Sequence, residues 1–77
     1  MRSESFEIVR SIGTISEQKK GSKQLNFVRW NGREARYDIR NWSKEGDPYK
    51  GITLDRDEAR QLLRLLSAEL NGEDGQC

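Results

Sequence analysis

An Asn31-Gly32 pair stands between two runs in which apolar and polar residues alternate, and no other feature limits the available folds as much. Asn-Gly takes up the left-handed backbone of a tight hairpin turn at little cost, so the flanking runs read as antiparallel strands. In Gln24–Trp30, Leu25 and Phe27 alternate with Asn26, Val28 and Trp30; in Glu34–Arg40, Ala35, Tyr37 and Ile39 alternate with Arg36, Asp38 and Arg40. A strict two-residue turn would set Phe27 opposite Arg36 and Asn26 opposite Tyr37. That mixes apolar and polar side chains on each face, which a half-buried sheet avoids. One more loop residue, Arg33, brings Phe27 opposite Tyr37 and Leu25 opposite Ile39. The pattern therefore predicts a three-residue loop or bulge, with Asn26, Val28, Trp30, Arg36, Asp38 and Arg40 together on the other face.

The neighbouring segments extend this sheet. Phe6–Ser16 is rich in β-branched residues and reads as a long strand whose alternation loses phase near Gly13, where a bulge or bend is expected. A basic turn around Gly21 and Ser22 follows. After the central hairpin, Asn41–Tyr49 forms a loop closed by Gly46-Asp47-Pro48, and Lys50–Leu54 is a short strand in which Gly51 suits a close backbone approach. Asp55 and Glu58 have the spacing of a capping box. The helix they open is predicted from Arg56 to about Leu70, with Ala59, Leu62, Leu63, Leu66 and Leu70 as an ordinary core-facing stripe. Asn71-Gly72 is expected to stop it. The predicted fold is α+β, four antiparallel strands followed by one C-terminal helix. It forms one domain over residues 6–70, between a disordered stretch at 1–5 and a flexible acidic tail at 71–77.

Several classes of function are excluded by what the chain lacks. Its 77 residues contain no histidine and one cysteine, Cys77, so neither a nucleophile–histidine pair, a histidine-ligated metal nor a disulfide framework is expected. No glycine pattern matches a nucleotide-binding fingerprint. Asp38 and Glu34, the acids of the central sheet, are flanked by arginines and read as ion-pair partners. The chain is thus expected to be no enzyme, to hold no cofactor or metal and to take no small-molecule substrate. No apolar run approaches the ~20 residues of a membrane span, and MRSESFE has no signal-peptide core, so a cytoplasmic protein is expected.

Charge is uneven along the chain. The net value is +1, yet residues 18–44 carry eight basic residues against Glu34 and Asp38, while residues 45–77 are acidic overall. A local basic field suits a polyanion. Trp30, near the hairpin tip beside Arg29 and Arg33, would expose a large apolar ring unless a partner covers it, and unpaired bases stack on such rings. Arg36 and Arg40 lie two apart on one strand face and can follow a sugar–phosphate chain. Trp42 stands just beyond the third strand, Lys19, Lys20 and Lys23 form a basic arm at the rim, and Lys50 opens the fourth strand. With Asn26 and Val28 on the same face as Trp30, these are the candidate nucleic-acid-binding residues. Packing of Trp30 and Trp42 under loops or at a subunit contact remains open, as do an RNA-binding module using the same face and a protein-interaction module.

At 8.9 kDa and 32% hydrophobic residues the chain has little material for a core of its own. Leu65 lies off the helix stripe. A homodimer through the helices is therefore expected, with Leu62, Leu65, Leu66, Glu69 and Leu70 at the interface.

YDIRNW (Tyr37–Trp42), a polar loop, KGITL (Lys50–Leu54) and a capped leucine-rich helix together resemble the single-stranded-DNA-binding domain of the transcriptional coactivator positive cofactor four, in particular its compact bacterial YdbC-type members. The likeness extends from about Phe6 to Leu70. It implies a curved four-stranded sheet, a helix that pairs with its twin, and binding of single-stranded DNA with little sequence preference, in transcription regulation or DNA maintenance in a bacterial nucleoid. Matching positions carry roles in DNA contact over to Trp30, Arg33, Arg40, Trp42 and Lys50. The chain departs from the eukaryotic domain in having one more residue between Gly32 and Asp38, in a Trp42 placed one residue sooner after Arg40, and in lacking a serine-rich acidic region.

Overall fold

The computed structural model describes residues 5–74. Strands β1 (Phe6–Gln18), β2 (Gly21–Trp30), β3 (Arg36–Ser43) and β4 (Pro48–Leu54) precede the helix α1 (Arg56–Asp74). The strands form an antiparallel sheet in the order β1-β2-β3-β4, as the alternation predicts.

The central hairpin has the expected pairing by a slightly different route. Asn31 and Gly32 have φ of 53° and 74°, and the Arg33 N–H donates to the Trp30 carbonyl at 2.9 Å, so the turn itself has two residues. Phe27 nevertheless faces Tyr37 and Leu25 faces Ile39, because the additional residue is taken up in 33–35, outside the β2–β3 ladder that begins at Val28–Arg36. At the same tip, the Ser5 N–H donates to Asn31 Oδ1 at 2.9 Å and the Asn31 N–H donates to the Ser5 carbonyl at 2.8 Å. Ser5 is thus tied down rather than frayed. The remainder of the expected disordered start, Met1–Glu4, and the tail residues 75–77, with Cys77, lie outside the described residues.

In β1 the bulge expected near Gly13 forms, between Ser11 and Gly13, and two more accompany it. The register against β2 slips between Ile8 and Arg10, between Ser11 and Gly13, and between Thr14 and Ser16. Val9, Ile12 and Ile15 are the additional residues, one in every three. Each bulge bends the strand and increases its twist, so three in succession curl it strongly. They also restore a consistent face from a sequence of mixed parity. Phe6, Ile8, Ser11 and Thr14 oppose Trp30, Val28, Asn26 and Gln24, whereas Arg10 and Gly13 oppose Phe27 and Leu25. The Arg10 guanidinium carbon lies 4.9 Å from the Phe27 ring centroid on that second face.

The curl places the core where alternation alone does not. Trp30 ends β2 and Trp42 lies near the other end of the β2–β3 ladder, opposite Ser22. Even so, the Phe6 ring centroid is 5.2 Å from that of Trp30 and 5.4 Å from that of Trp42. The face they share is therefore concave and closes on itself. Val28 and Trp42 are buried there with Asn26 and Asp38.

The opposite face and the helix remain poorly covered. The capping box forms as predicted: the Asp55 N–H donates to Glu58 Oε1 at 2.9 Å and the Glu58 N–H to Asp55 Oδ1 at 2.8 Å. The helix passes the expected stop at Asn71-Gly72 and reaches Asp74. Its apolar stripe is not ordinary core. Ala59 and Leu62 are half-buried, but Leu63, Leu66 and Leu70 are 65%, 47% and 51% exposed, and Leu65 is 58% exposed. An apolar cleft of about 320 Å³, lined by Ile12, Leu25, Ile39, Leu54 and the helix leucines, separates helix from sheet.

Candidate nucleic-acid interface

β2 ends at Trp30, the hairpin turns, and β3 returns with Arg36, Asp38 and Arg40 on the concave face. The bend that follows brings four of the predicted residues into one open pocket of about 290 Å³, lined by Trp30, Asn31, Arg33, Glu34, Arg36, Arg40 and Thr53.

Arg40, which lines it, is held in an organised ion pair. Asp38 is fully buried, and its carboxylate accepts from Arg40 Nε (Oδ1, 2.7 Å), from Arg40 Nη2 (Oδ2, 2.7 Å) and from the Trp30 indole N–H (Oδ2, 3.2 Å). Arg40 Nη1 donates to the Tyr49 carbonyl at 2.9 Å, and its guanidinium carbon sits 4.5 Å from the Trp30 ring centroid. A two-pronged guanidinium–carboxylate bond is strong and directional, and the ring adds a cation–π contact. Gly51 lets β4 approach closely enough for this arrangement. It faces Arg40, and a Cβ at that position would run into the Arg40 Cβ and the Ile39 carbonyl oxygen.

The other two arginines differ. Arg36 lies 4.0 Å from Asp55 with both side chains about half exposed, a pairing of little worth in water. The Arg33 side chain is exposed and makes no ion pair among the described residues. With Asp38 compensating Arg40, Arg33 and Arg36 supply the pocket's available positive charge, and Glu34 lines the same pocket.

The remaining candidates lie elsewhere. Asn26, Val28 and Trp42 are 1%, 0% and 3% exposed, inside the curl rather than on an open face. Lys23 shares the sheet face of Leu25, opposite to Trp30, and Lys50 lies in the stretch where the β3–β4 register slips. Lys19 and Lys20 occupy the β1–β2 turn at the far end of the sheet. The residues assigned to a helix interface, Leu62, Leu65, Leu66, Glu69 and Leu70, lie on α1, all exposed except the half-buried Leu62. Phe6, Tyr49 and Thr53 escaped the sequence reading. Phe6 lies across the β1–β2 ladder from Trp30, and Thr53 and Tyr49 come from β4 beside Asp38 and Arg40, so strand pairing brings them in. The Phe6–Trp42 contact alone needs the curl, for which local alternation carries no signal.

The chain is thus a small α+β domain in which an aromatic ring stands among arginines on a strongly curved meander, followed by a capped helix. Residues 18–65 match the family Transcriptional Coactivator p15 (PC4), and the chain belongs to that family. The family is known for single-stranded DNA binding and coactivation, without enzymatic activity. The matched span includes the whole pocket. An uncharacterized protein of Treponema pallidum (strain Nichols) is 42% identical over 65 residues, covering 82% of this chain and 76% of the relative. Among the described residues no helix is long and apolar enough to cross a membrane, and no group of three or more acidic, histidine or cysteine side chains could hold a metal ion.

Proposed function

We propose that this chain is a non-enzymatic, homodimeric protein that binds single-stranded DNA with little sequence preference, in transcription regulation or DNA maintenance in the cytoplasm. The observation that carries this reading is the meeting of Trp30 with Arg33, Arg36 and Arg40 in one open pocket. Unpaired bases expose their flat faces, and stacking on such a surface contributes ~1–3 kcal/mol per base whatever the base. Arg33 and Arg36 line the same pocket and can meet adjacent phosphates. A duplex keeps its base faces covered and forgoes that contribution.

Titrating the intrinsic tryptophan fluorescence with poly-deoxythymidine at two salt concentrations tests the reading. Binding should quench the emission, weaken with salt by a log–log slope of about −0.7 per neutralised phosphate, and exceed duplex binding. Trp30→Ala should cost ~1–3 kcal/mol of binding with the slope unchanged. Equal affinity for duplex and single strand, or full affinity in Trp30→Ala, would overturn it. Tighter binding of poly-uridine would move the preferred ligand to RNA.

A further inference from the structure

Asp38 is the one fully buried charged residue among those described, and it lies beneath a pocket read as a site for a polyanion. Like charge there opposes a phosphate chain, so its presence calls for a role. Its hydrogen-bonding partners are two side chains of the pocket. Oδ1 takes Arg40 Nε, and Oδ2 takes both Arg40 Nη2 and the Trp30 indole N–H. A carboxylate that merely neutralised Arg40 would have no need of the indole. Sharing Oδ2 between the two fixes the guanidinium relative to the ring.

The consequence for Arg40 is chemical. Three of its five N–H groups are already engaged, by Asp38 and by the Tyr49 carbonyl, its charge is compensated at 2.7 Å, and its side chain is 15% exposed. It is poorly placed to grip a phosphate. What it can still present is the planar face of the guanidinium, and bases stack on guanidinium planes as they do on aromatic rings. Resting on the single-stranded reading above, we propose that Asp38 is a positioning residue: it holds Arg40 over Trp30 and makes that pair, rather than the bare indole, the surface on which a base stacks. Phosphate contact then falls to Arg33 and Arg36.

The full-length chain is tested in four forms: wild type, Asp38→Asn, Arg40→Lys and Arg36→Gln. Affinity for poly-deoxythymidine is measured between roughly 50 and 200 mM salt, and affinity for inorganic polyphosphate, a polyanion without bases, alongside it. Asp38→Asn removes a negative charge, so electrostatics alone tightens binding of both ligands. The proposal instead requires poly-deoxythymidine to weaken by about tenfold while polyphosphate binds at least as well as to wild type. Arg40→Lys keeps the charge but removes the plane, and should lose about tenfold for poly-deoxythymidine with an unchanged salt slope. Arg36→Gln should make the slope shallower by about 0.7.

Tighter poly-deoxythymidine binding by Asp38→Asn, or full affinity in Arg40→Lys, overturns the positioning role. Parallel loss of both ligands in Asp38→Asn also overturns it, because it marks a purely structural carboxylate. If Asp38→Asn fails to fold, as shown by circular dichroism, Arg40→Lys decides alone. Wild-type protein that ignores poly-deoxythymidine altogether refutes the single-stranded reading itself, an outcome distinct from these.

Discussion

Gly51 shows how much a single position can constrain this sheet. It faces Arg40 across the β3–β4 ladder, and a methyl group there would occupy the space of the Arg40 Cβ and the Ile39 carbonyl oxygen. Neither is the free end of a flexible side chain, so backbone must move. Gly51→Ala is expected to destabilise the protein by ~1–3 kcal/mol, read as a lower urea midpoint with an unchanged slope. It should also weaken poly-deoxythymidine binding, because the strand that offers the Tyr49 carbonyl to Arg40 is pushed away. Gly13, in the bulged strand, is the contrast: a methyl group there would meet nothing within 4 Å. Gly13→Ala should change stability by no more than about 0.5 kcal/mol in the same titration.

At the scale of elements, β1 and α1 obey different kinds of rule. The helix start is local. Asp55 and Glu58 satisfy each other's backbone N–H groups, and the pair stands in the sequence at the required spacing. Asp55→Ala should cost about 1 kcal/mol, measured by urea denaturation followed through helical ellipticity. The loss of the weak Arg36–Asp55 pairing adds little to that figure, since both side chains are about half exposed. By contrast, the three slips in β1 are set by its pairing partner. Val9, Ile12 and Ile15 become additional residues because β2 runs beside them in regular alternation, and the resulting curl carries Phe6 from Trp30 to Trp42.

For the whole molecule, the decisive quantity is uncovered apolar surface. Leu63, Leu65, Leu66 and Leu70 are between 47% and 65% exposed, and the cleft beneath the helix is lined almost entirely by carbon. Contiguous apolar surface of this kind marks an interaction site. A second copy of the chain is the proposed occupant, since an 8.9 kDa monomer whose enclosed apolar side chains, among the described residues, are Val28 and Trp42 has little core to stabilise it. Leu66→Glu should accordingly convert the protein from dimer to monomer in sedimentation velocity. It should also lower the thermal midpoint, while wild type shows a midpoint that rises with protein concentration. An unchanged sedimentation coefficient in Leu66→Glu would refute the dimer.

What could be read from residues alone was whatever depends on neighbours in sequence. Alternation gave the strands, Asn31-Gly32 the turn, the pairing of Phe27 with Tyr37 the register, and Asp55 with Glu58 the helix start. Trp30, Arg33, Arg36 and Arg40 could be placed together because one hairpin carries them all. The depth of Trp42 and the exposure of the leucine stripe could not. Each depends on how far the sheet bends and on which face then closes, and bending accumulates from bulges that only strand pairing creates. Alternation assigns residues to two faces; the three-dimensional curl decided which of those faces became the interior.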